Sequence, residues 1–347
     1  MTLPPPKPAQ KILAPDECPF RRQEIRREVC PSCRGAVQVK VFECSLHGEC
    51  TLKKKVPGVH VCDIREPEVI PNTGVVVLNS NRHGYGDACV MAWVSEGSKQ
   101  ASRKLVHHAT GGKKLFLELL GQTVVDRQNG MVDTFRAYSE ELRLGGDPPR
   151  ICQRGAYLGI KTPPKRPPHT LTPGEIEAAS RGFGGNAVLL FPNTDYGSRE
   201  WPAFYWLDLA AGMRKAGFDV HFCGGKADGR YAAFPGYWGR TWREIAAAML
   251  VARLVIGNDS GPAHLAGTLD VPTMAILGPT TPSVFVQYGS VWCATPDKAE
   301  ISCAGCYFGA PFSRVCEVGC AALCHVRPAR VIDEALQMIE QSKAVFP

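Results

Sequence analysis

Residues 255–264, VIGNDSGPAH, set a short apolar run directly before Asn258, Asp259, Ser260, Gly261 and Pro262, with His264 inside the helical pattern that follows. That order of residue types suits a bound phosphate. In open α/β sheets, ligands bind beyond the carboxyl ends of strands, where helices begin. A helix N-terminus presents unpaired backbone N–H groups and about half a positive charge. Gly261 lets a ligand approach the backbone, Ser260 supplies a hydroxyl, and Pro262 fits the first turn without removing a useful donor. Asp259 and His264 would face the same crevice. The plainer alternative is a capping Asp259 or Ser260, with His264 on an ordinary helix face.

Cysteines form the other chemistry-bearing pattern. Of the fifteen, six lie in 18–62 and five in 303–324. "CAGCYFGAPFSRVCEVGCAALC" spaces Cys303, Cys306, Cys316, Cys320 and Cys324 so that a C-x-x-C knuckle is followed by further close thiols. Four thiolates make a tetrahedral Zn²⁺ or Fe site, and Cys303, Cys306, Cys316 and Cys320 are the expected set, with Cys324 spare. "CPSCRGAVQVKVFECSLHGEC" reads as a zinc-ribbon-like unit: Cys30 and Cys33 form a knuckle, VQVKVF alternates as a strand does, and Cys44 and Cys50 close the set. Cys18, Cys62, His47 or His60 could replace a member. Such closed sites are structural, and buried unliganded thiols are the plainer alternative.

These patterns need a scaffold. With 347 residues, 44% hydrophobic and 21% charged, the chain is globular and long enough for two domains with appendages. No apolar run approaches the ~20 residues needed to span a bilayer. The start, MTLPPPKPAQKILAP, lacks the apolar core of a signal peptide, so a soluble cytoplasmic protein is expected. Residues 1–62 hold 11 Lys/Arg against 6 Asp/Glu, which is +5 of the net charge of +7. That basic end would attract nucleic acid, an anionic surface or an acidic protein, or else is a solvated tail.

From residue 73 onward strands and helices alternate, which favours parallel sheets wrapped by helices. Strands are expected at 73–80, 104–109, 123–126, 186–192, 218–225, 254–259 and 273–279. Helices are expected from Ala88 to Lys99, at 113–120, from about Pro202 to Ala216, at 241–253 and after Gly261. Residues 131–142 continue the alternation. Five prolines in 160–173 forbid a regular element there and mark a boundary. Thr172, Pro173 and Glu175 then spell an N-cap, a proline at the first helical position and a capping box. The chain closes on an amphipathic helix with Val331, Ile332, Ala335, Leu336 and Ile339 on one face.

Three segments resemble, in order, family 9 glycosyltransferases, the heptosyltransferase group. NDSGPAHLAGTLDVPTMAILGPTTP is similar to that family's C-terminal motif. NRHGYGDACVMAWVSEGSKQ is similar to its first loop and helix, with G-x-G-D at Gly84, Gly86 and Asp87. FPNTDYGSREWPAFYWLDLAAGMRKAGFDVHFCGG is similar to its segment in which a basic residue precedes Trp-Pro. The resemblance spans about residues 74–345. It implies a GT-B fold, two Rossmann-like domains facing a cleft, with the zinc-ribbon-like module and the Cys finger added. The implied boundaries are a flexible tail at 1–17, the Cys-rich module at 18–66, an acceptor domain at 67–165, a nucleotide-sugar domain at 166–300, and the finger with its helix at 301–347.

The resemblance also implies inverting transfer from a nucleotide-diphosphate sugar, by family habit ADP-heptose-like. Asp87 would be the general base and Arg199, where the family usually has Lys, would hold the diphosphate with Thr194 and Ser198. Ser260, Gly261 and their helix would complete the stabilisation of the leaving group. The plainer alternatives are Asp87 as a helix N-cap and Arg199 as a surface residue stacked on Trp201. No D-x-D pair occurs, which fits metal-independent chemistry. Autotransporter-modifying heptosyltransferases are similar in carrying a C-terminal cysteine finger, with different spacing. Expected partners are the donor, a macromolecular acceptor (protein, lipopolysaccharide core or hydroxymethylated DNA base) and a second copy in a homo-oligomer. For DNA, Phe20 and Phe42 are the only aromatics interleaved with the basic residues of 18–62. A second reading is a non-catalytic zinc-finger binding protein on a degenerate transferase scaffold.

Overall fold

The computed structural model describes residues 21–29, 36–44, 48–60, 74–81, 84–128, 131–133, 151, 154–155, 158–160, 162–306 and 320–345, with backbone alone for 21–60 and 343–345. The chain divides into two compact units, Met1–Pro67 and Glu68–Pro347. In the first, strands β1 (Arg21–Val29), β2 (Ala36–Cys44) and β3 (Gly48–His60) form an antiparallel sheet in the order β1-β2-β3. β2 contains the expected VQVKVF strand. Register places Cys44 opposite Gly48 and Cys50 opposite Phe42. Cys30 and Cys33 lie outside the described residues, as do the side chains of Cys44 and Cys50.

The second unit holds two parallel sheets. The smaller comprises β4 (Gly74–Asn79), β5 (Arg103–His108), β6 (Val124–Val125) and β7 (Val132–Asp133), in the order β6-β5-β4-β7. Helix α1 (Tyr85–Ser98) follows β4, and α2 (Gly111–Leu119) follows β5. The β-branched run of β4 and the alternating burial of β5 explain their strand form. α1 has no polar stripe, because nine of its residues are buried between the sheet and other helices.

The larger sheet is built from β8 (Ala187–Phe191), β9 (Asp219–Gly224), β10 (Gly236–Trp238), β11 (Leu254–Asn258), β12 (Thr273–Ile276) and β13 (Val291–Ala294). Their spatial order is β10-β9-β8-β11-β12-β13, with every pair parallel. The helices are α3 (Pro173–Gly182), α4 (Ala203–Lys215), α5 (Trp242–Val251), α6 (Gly261–Thr268), the single turn α7 (Ala321–Cys324) and α8 (Pro328–Val345). Both sheets start from an inner strand, grow outward one way, then return to the other side. Winding of this kind leaves a switch point, between β4 and β7 in one sheet and between β8 and β11 in the other, where ligands settle.

The capping box at α3 forms as the sequence spells it, Thr172 and Glu175 each satisfying the other's backbone N–H. Residues 162–172 carry no helix or strand. They cross α1 so closely that a Cβ on Gly97 would collide with the Pro163 carbonyl. One apolar cluster joins the two sheets' helices: Ala88, Cys89 and Ala92 of α1 and Phe116, Leu117 and Leu119 of α2 pack with Leu189, Ile245, Met249 and Leu265. On the far side of the larger sheet, α4 and α8 cover Val188, Leu190, Val220 and Ile256. The α8 face carries Val331, Ala335 and Ile339 into that cluster, as its pattern predicts. No helix among the described residues is long and apolar enough to cross a membrane.

Candidate active site

A cleft of about 600 Å³ opens where the two switch points face each other. The smaller sheet supplies Gly84, Tyr85, Gly86 and Asp87. The larger supplies Asn193, Thr194, Asp195, Tyr196 and Arg199 after β8, Gly224 and Gly225 after β9, Trp242 of α5, and Asp259, Ser260, Gly261, Pro262 and His264 after β11. The expected site residues thus converge, with one exception: Ser198 sits on the 3-10 turn Gly197–Arg199 without lining the cleft.

α1 begins at Tyr85, three residues before the expected start, so Gly84 is its N-cap and Asp87 lies in the first turn. This corrects the N-cap alternative for Asp87. A carboxylate in that first turn complements the helix dipole. Its Oδ1 accepts a hydrogen bond from Arg154 Nη2 at 2.6 Å, and the Arg154 side chain is fully buried.

Neither α1 nor α6 is closed by a side-chain cap. Ser260 is the N-cap residue of α6, but its hydroxyl turns back to the Asn258 carbonyl at 3.2 Å instead of binding the first-turn N–H groups. That arrangement leaves the helix start turned toward the cleft without a side-chain cap from Ser260. The close approach depends on Gly261, because a Cβ there would lie 2.9 Å from that of Tyr85.

Across the cleft, Arg199 Nη1 stands 3.4 Å from Asp259 Oδ2, and its guanidinium lies over the Tyr196 ring at 5.2 Å. Trp201 is fully buried and donates its indole N–H to the Val326 carbonyl at 2.9 Å, whereas the ring beneath the Arg199 guanidinium at 5.2 Å is that of Tyr196. Asn258, also buried, ties the strand ends together by accepting from Trp201 N and donating to Pro192 O. His264 is no ordinary face residue. It is buried, stacked on Phe285 at 4.2 Å, bonded through Nδ1 to the Tyr288 hydroxyl at 3.1 Å, and 3.5 Å from Asp259 Oδ1 through Nε2.

Sequence reasoning missed Arg154, Lys113 and the aromatic wall. Tyr85, Phe116 and Trp242 meet with centroids 4.6 to 5.0 Å apart. Lys113 of α2 rests its ammonium 3.8 Å above the Tyr85 ring. Burial pulls its pKa down to about 8, against the opposing attraction of Asp87, Cys89 and Asp195. Burial also pushes the Cys89 thiol up to about 12 and raises that of Cys223, so both stay protonated at neutral pH. The periodicity of KKLFLELL could have hinted that Lys113 falls on a covered face. Nothing near Arg154 pointed to Asp87.

Cys303 and Cys306 bracket a turn closed by Cys306 N donating to the Cys303 carbonyl at 3.1 Å, and Cys320 is buried. Cys316 lies outside the described residues. Among the described residues no three His, Cys, Asp or Glu side chains gather as a metal-binding group.

Two parallel α/β sheets with a helix N-terminus at each switch point make a Rossmann-like architecture. Residues 150–316, a little under half of the chain, match the model of glycosyltransferase family 9 (heptosyltransferase). Over 120 residues it is 30% identical to lipopolysaccharide heptosyltransferase 1 of Pseudomonas aeruginosa, covering 30% of this chain and about a third, 32%, of that one. The fold matches ADP-heptose lipopolysaccharide heptosyltransferase II of E. coli, with a TM-score of 0.52 and 12% identity over 78% of this chain and 100% of the other. It also matches TibC of enterotoxigenic E. coli H10407, described as an iron-containing dodecameric glycosyltransferase, with a TM-score of 0.57 and 12% identity over 89% of this chain and 84% of the other. TibC has also been solved in complex with ADP-D-β-D-heptose.

Proposed function

We propose that the chain is an inverting glycosyltransferase that moves a sugar from a nucleotide-diphosphate donor to a hydroxyl of a macromolecular acceptor. The observation that carries this reading is the pairing of Asp87, on one wall, with Arg199 and the uncapped start of α6 on the other, all lining one cleft. Asp87 takes the proton of the acceptor hydroxyl as its oxygen forms the new bond to the anomeric carbon. The bond from that carbon to the diphosphate breaks, and its electron pair leaves with the phosphate oxygen. Arg199 and the first-turn N–H groups of α6 receive the developing charge, a role that fixed donors perform well; the Ser260 hydroxyl would join them only by leaving the Asn258 carbonyl. Thr194 stands beside them. His264 orients Asp259, which in turn holds Arg199.

An ADP-heptose-like donor is supported by the ligand of TibC and by the names of the two lipopolysaccharide enzymes. The acceptor, whether protein, lipopolysaccharide core or modified DNA, is the province of the basic N-terminal unit. The cysteine spacing at 30–50 and 303–320 supports structural Zn or Fe, which takes no part in the transfer.

Thermal shift of the metal-replete protein against ADP, UDP, GDP, CDP and TDP and their sugars tests the donor site. A ligand at 100 times its Kd stabilises by about 2.7 kcal/mol. The expected result is a base-selective shift that weakens in Arg199→Ala. A folded protein that responds to none of them would sink the transferase reading.

A further inference from the structure

Arg154 lies in none of the three segments that carry the resemblance, though inside the 150–316 family match, and it meets Asp87 at the edge of the cleft. Its segment is pinned by local turns, Leu158 N to the Arg154 carbonyl at 3.1 Å and Ile160 N to the Gly155 carbonyl at 2.8 Å. Ile151, Leu158 and Ile160 anchor it in the apolar cluster beneath the smaller sheet. Arg103 of β5 donates to the Leu158 carbonyl and closes the assembly. The guanidinium therefore arrives on a fixed backbone, wholly buried, with Nη2 at 2.6 Å from Asp87 Oδ1.

Two physical arguments follow. A buried guanidinium is tolerated when a carboxylate meets it in good hydrogen-bonding geometry. A carboxylate side chain in an open first turn otherwise samples several rotamers, and a short charge-assisted bond selects one of them. Lys113 of α2 also acts on Asp87 electrostatically, and His264 of α6 lies beside Gly86, while Arg154 meets the carboxylate at 2.6 Å.

We propose that Arg154 is the positioning residue of the reaction: by gripping Oδ1 it fixes the Asp87 carboxylate in the orientation from which it accepts the acceptor's proton. Arg154 itself exchanges no proton and touches no substrate. The inference rests on the transferase reading above. It also means that Asp87→Asn removes a base and the partner of a buried cation together, so loss of activity in that variant alone does not isolate the base.

The test uses the full-length protein and whichever of the ADP-, UDP-, GDP-, CDP- and TDP-sugars shifts its melting temperature, with water and glycerol as acceptor hydroxyls that take the sugar and with the nucleoside diphosphate released as the readout. Arg154→Met, Arg154→Lys, Asp87→Asn and the double variant Asp87→Asn/Arg154→Met are compared, each checked for folding by circular dichroism. The expected result for Arg154→Met is a fall in kcat of about 100-fold, within the range of a positioned base. The donor KM should stay within about twofold, a split that general unfolding would not give. Arg154→Lys, smaller and still cationic, should recover about a tenth of wild-type kcat, and the double variant should be no slower than Asp87→Asn alone. An Arg154→Met protein with kcat within threefold of wild type overturns the positioning role, as do losses that multiply in the double variant. Should Arg154→Met fail to fold, the Arg154→Lys kcat and KM decide, a wild-type kcat again overturning the role. A wild-type protein that binds a donor and never releases its nucleotide defeats the transferase reading itself, and the proposal with it.

Discussion

Gly86 and His264 meet at the base of the cleft: a Cβ on Gly86 would lie 2.7 Å from His264 Cδ2. The two helices that open onto the site, α1 with Asp87 and α6 with Ser260, are in contact at their N-terminal ends. The separation of Asp87 from the start of α6 is therefore set by a glycine.

Gly86→Ala tests that contact. The His264 ring is held by the Phe285 stack and the Tyr288 hydroxyl, so it has little room to yield. The substitution should destabilise by about 1–3 kcal/mol, the usual range for overpacking. Gly185→Ala, where nothing lies within 4 Å, serves as control and should leave the urea midpoint nearly unchanged.

Arg199→Ala should weaken binding of the cognate nucleoside diphosphate by about 10- to 100-fold, or about 1.4–2.7 kcal/mol by calorimetric titration. Arg199→Lys keeps the charge and loses the fork, so it should fall between. Equal affinity in all three proteins would leave Arg199 as a structural partner of Asp259 alone.

Lys113 carries a pH signature. Its ammonium titrates at about 8 in the folded chain and near 10.5 in the unfolded one. Between those values the unfolded chain binds the extra proton, so unfolding free energy rises with pH. Below about 8 both states are protonated and the penalty of burying the charge is present in full. Urea midpoints of wild type and Lys113→Met should converge as pH climbs toward 10.5. Parallel curves would remove the assigned burial effect.

Trp201→Phe deletes the donor to the Val326 carbonyl and leaves a buried acceptor unmet. A loss of about 1–3 kcal/mol in stability is expected. Nucleotide affinity should change by less than about twofold, because Trp201 does not line the cleft.

Local signals in the chain were good guides to local structure. Thr172, Pro173 and Glu175 announced α3, and the order of apolar run, Asp259, Ser260 and Gly261 announced a strand feeding a helix, which the fold sets at the cleft. The three-residue edge strand β10 and the four-residue β13 went unannounced, since strands that short show no period. Arg154 went unannounced for a different reason. Its partner lies 67 residues earlier in the chain, and nothing in "ICQRGAY" encodes a meeting that only the folded sheet and its loops create. Tyr85, expected in the loop before a helix starting at Ala88, became cleft lining because the start of α6 packs against it.

The apolar cluster shared by α1, α2, β8, α5 and α6 has a kinetic meaning. Prising the two sheets apart to admit a substrate would wet Phe116, Leu117, Ile245 and Leu265, at about 25 cal/mol for every Å² exposed. A hinge is a poor door under that penalty. A ligand would enter instead through the open mouth of a socket whose base stays shut, and the two halves of the second unit are expected to melt together as one cooperative block.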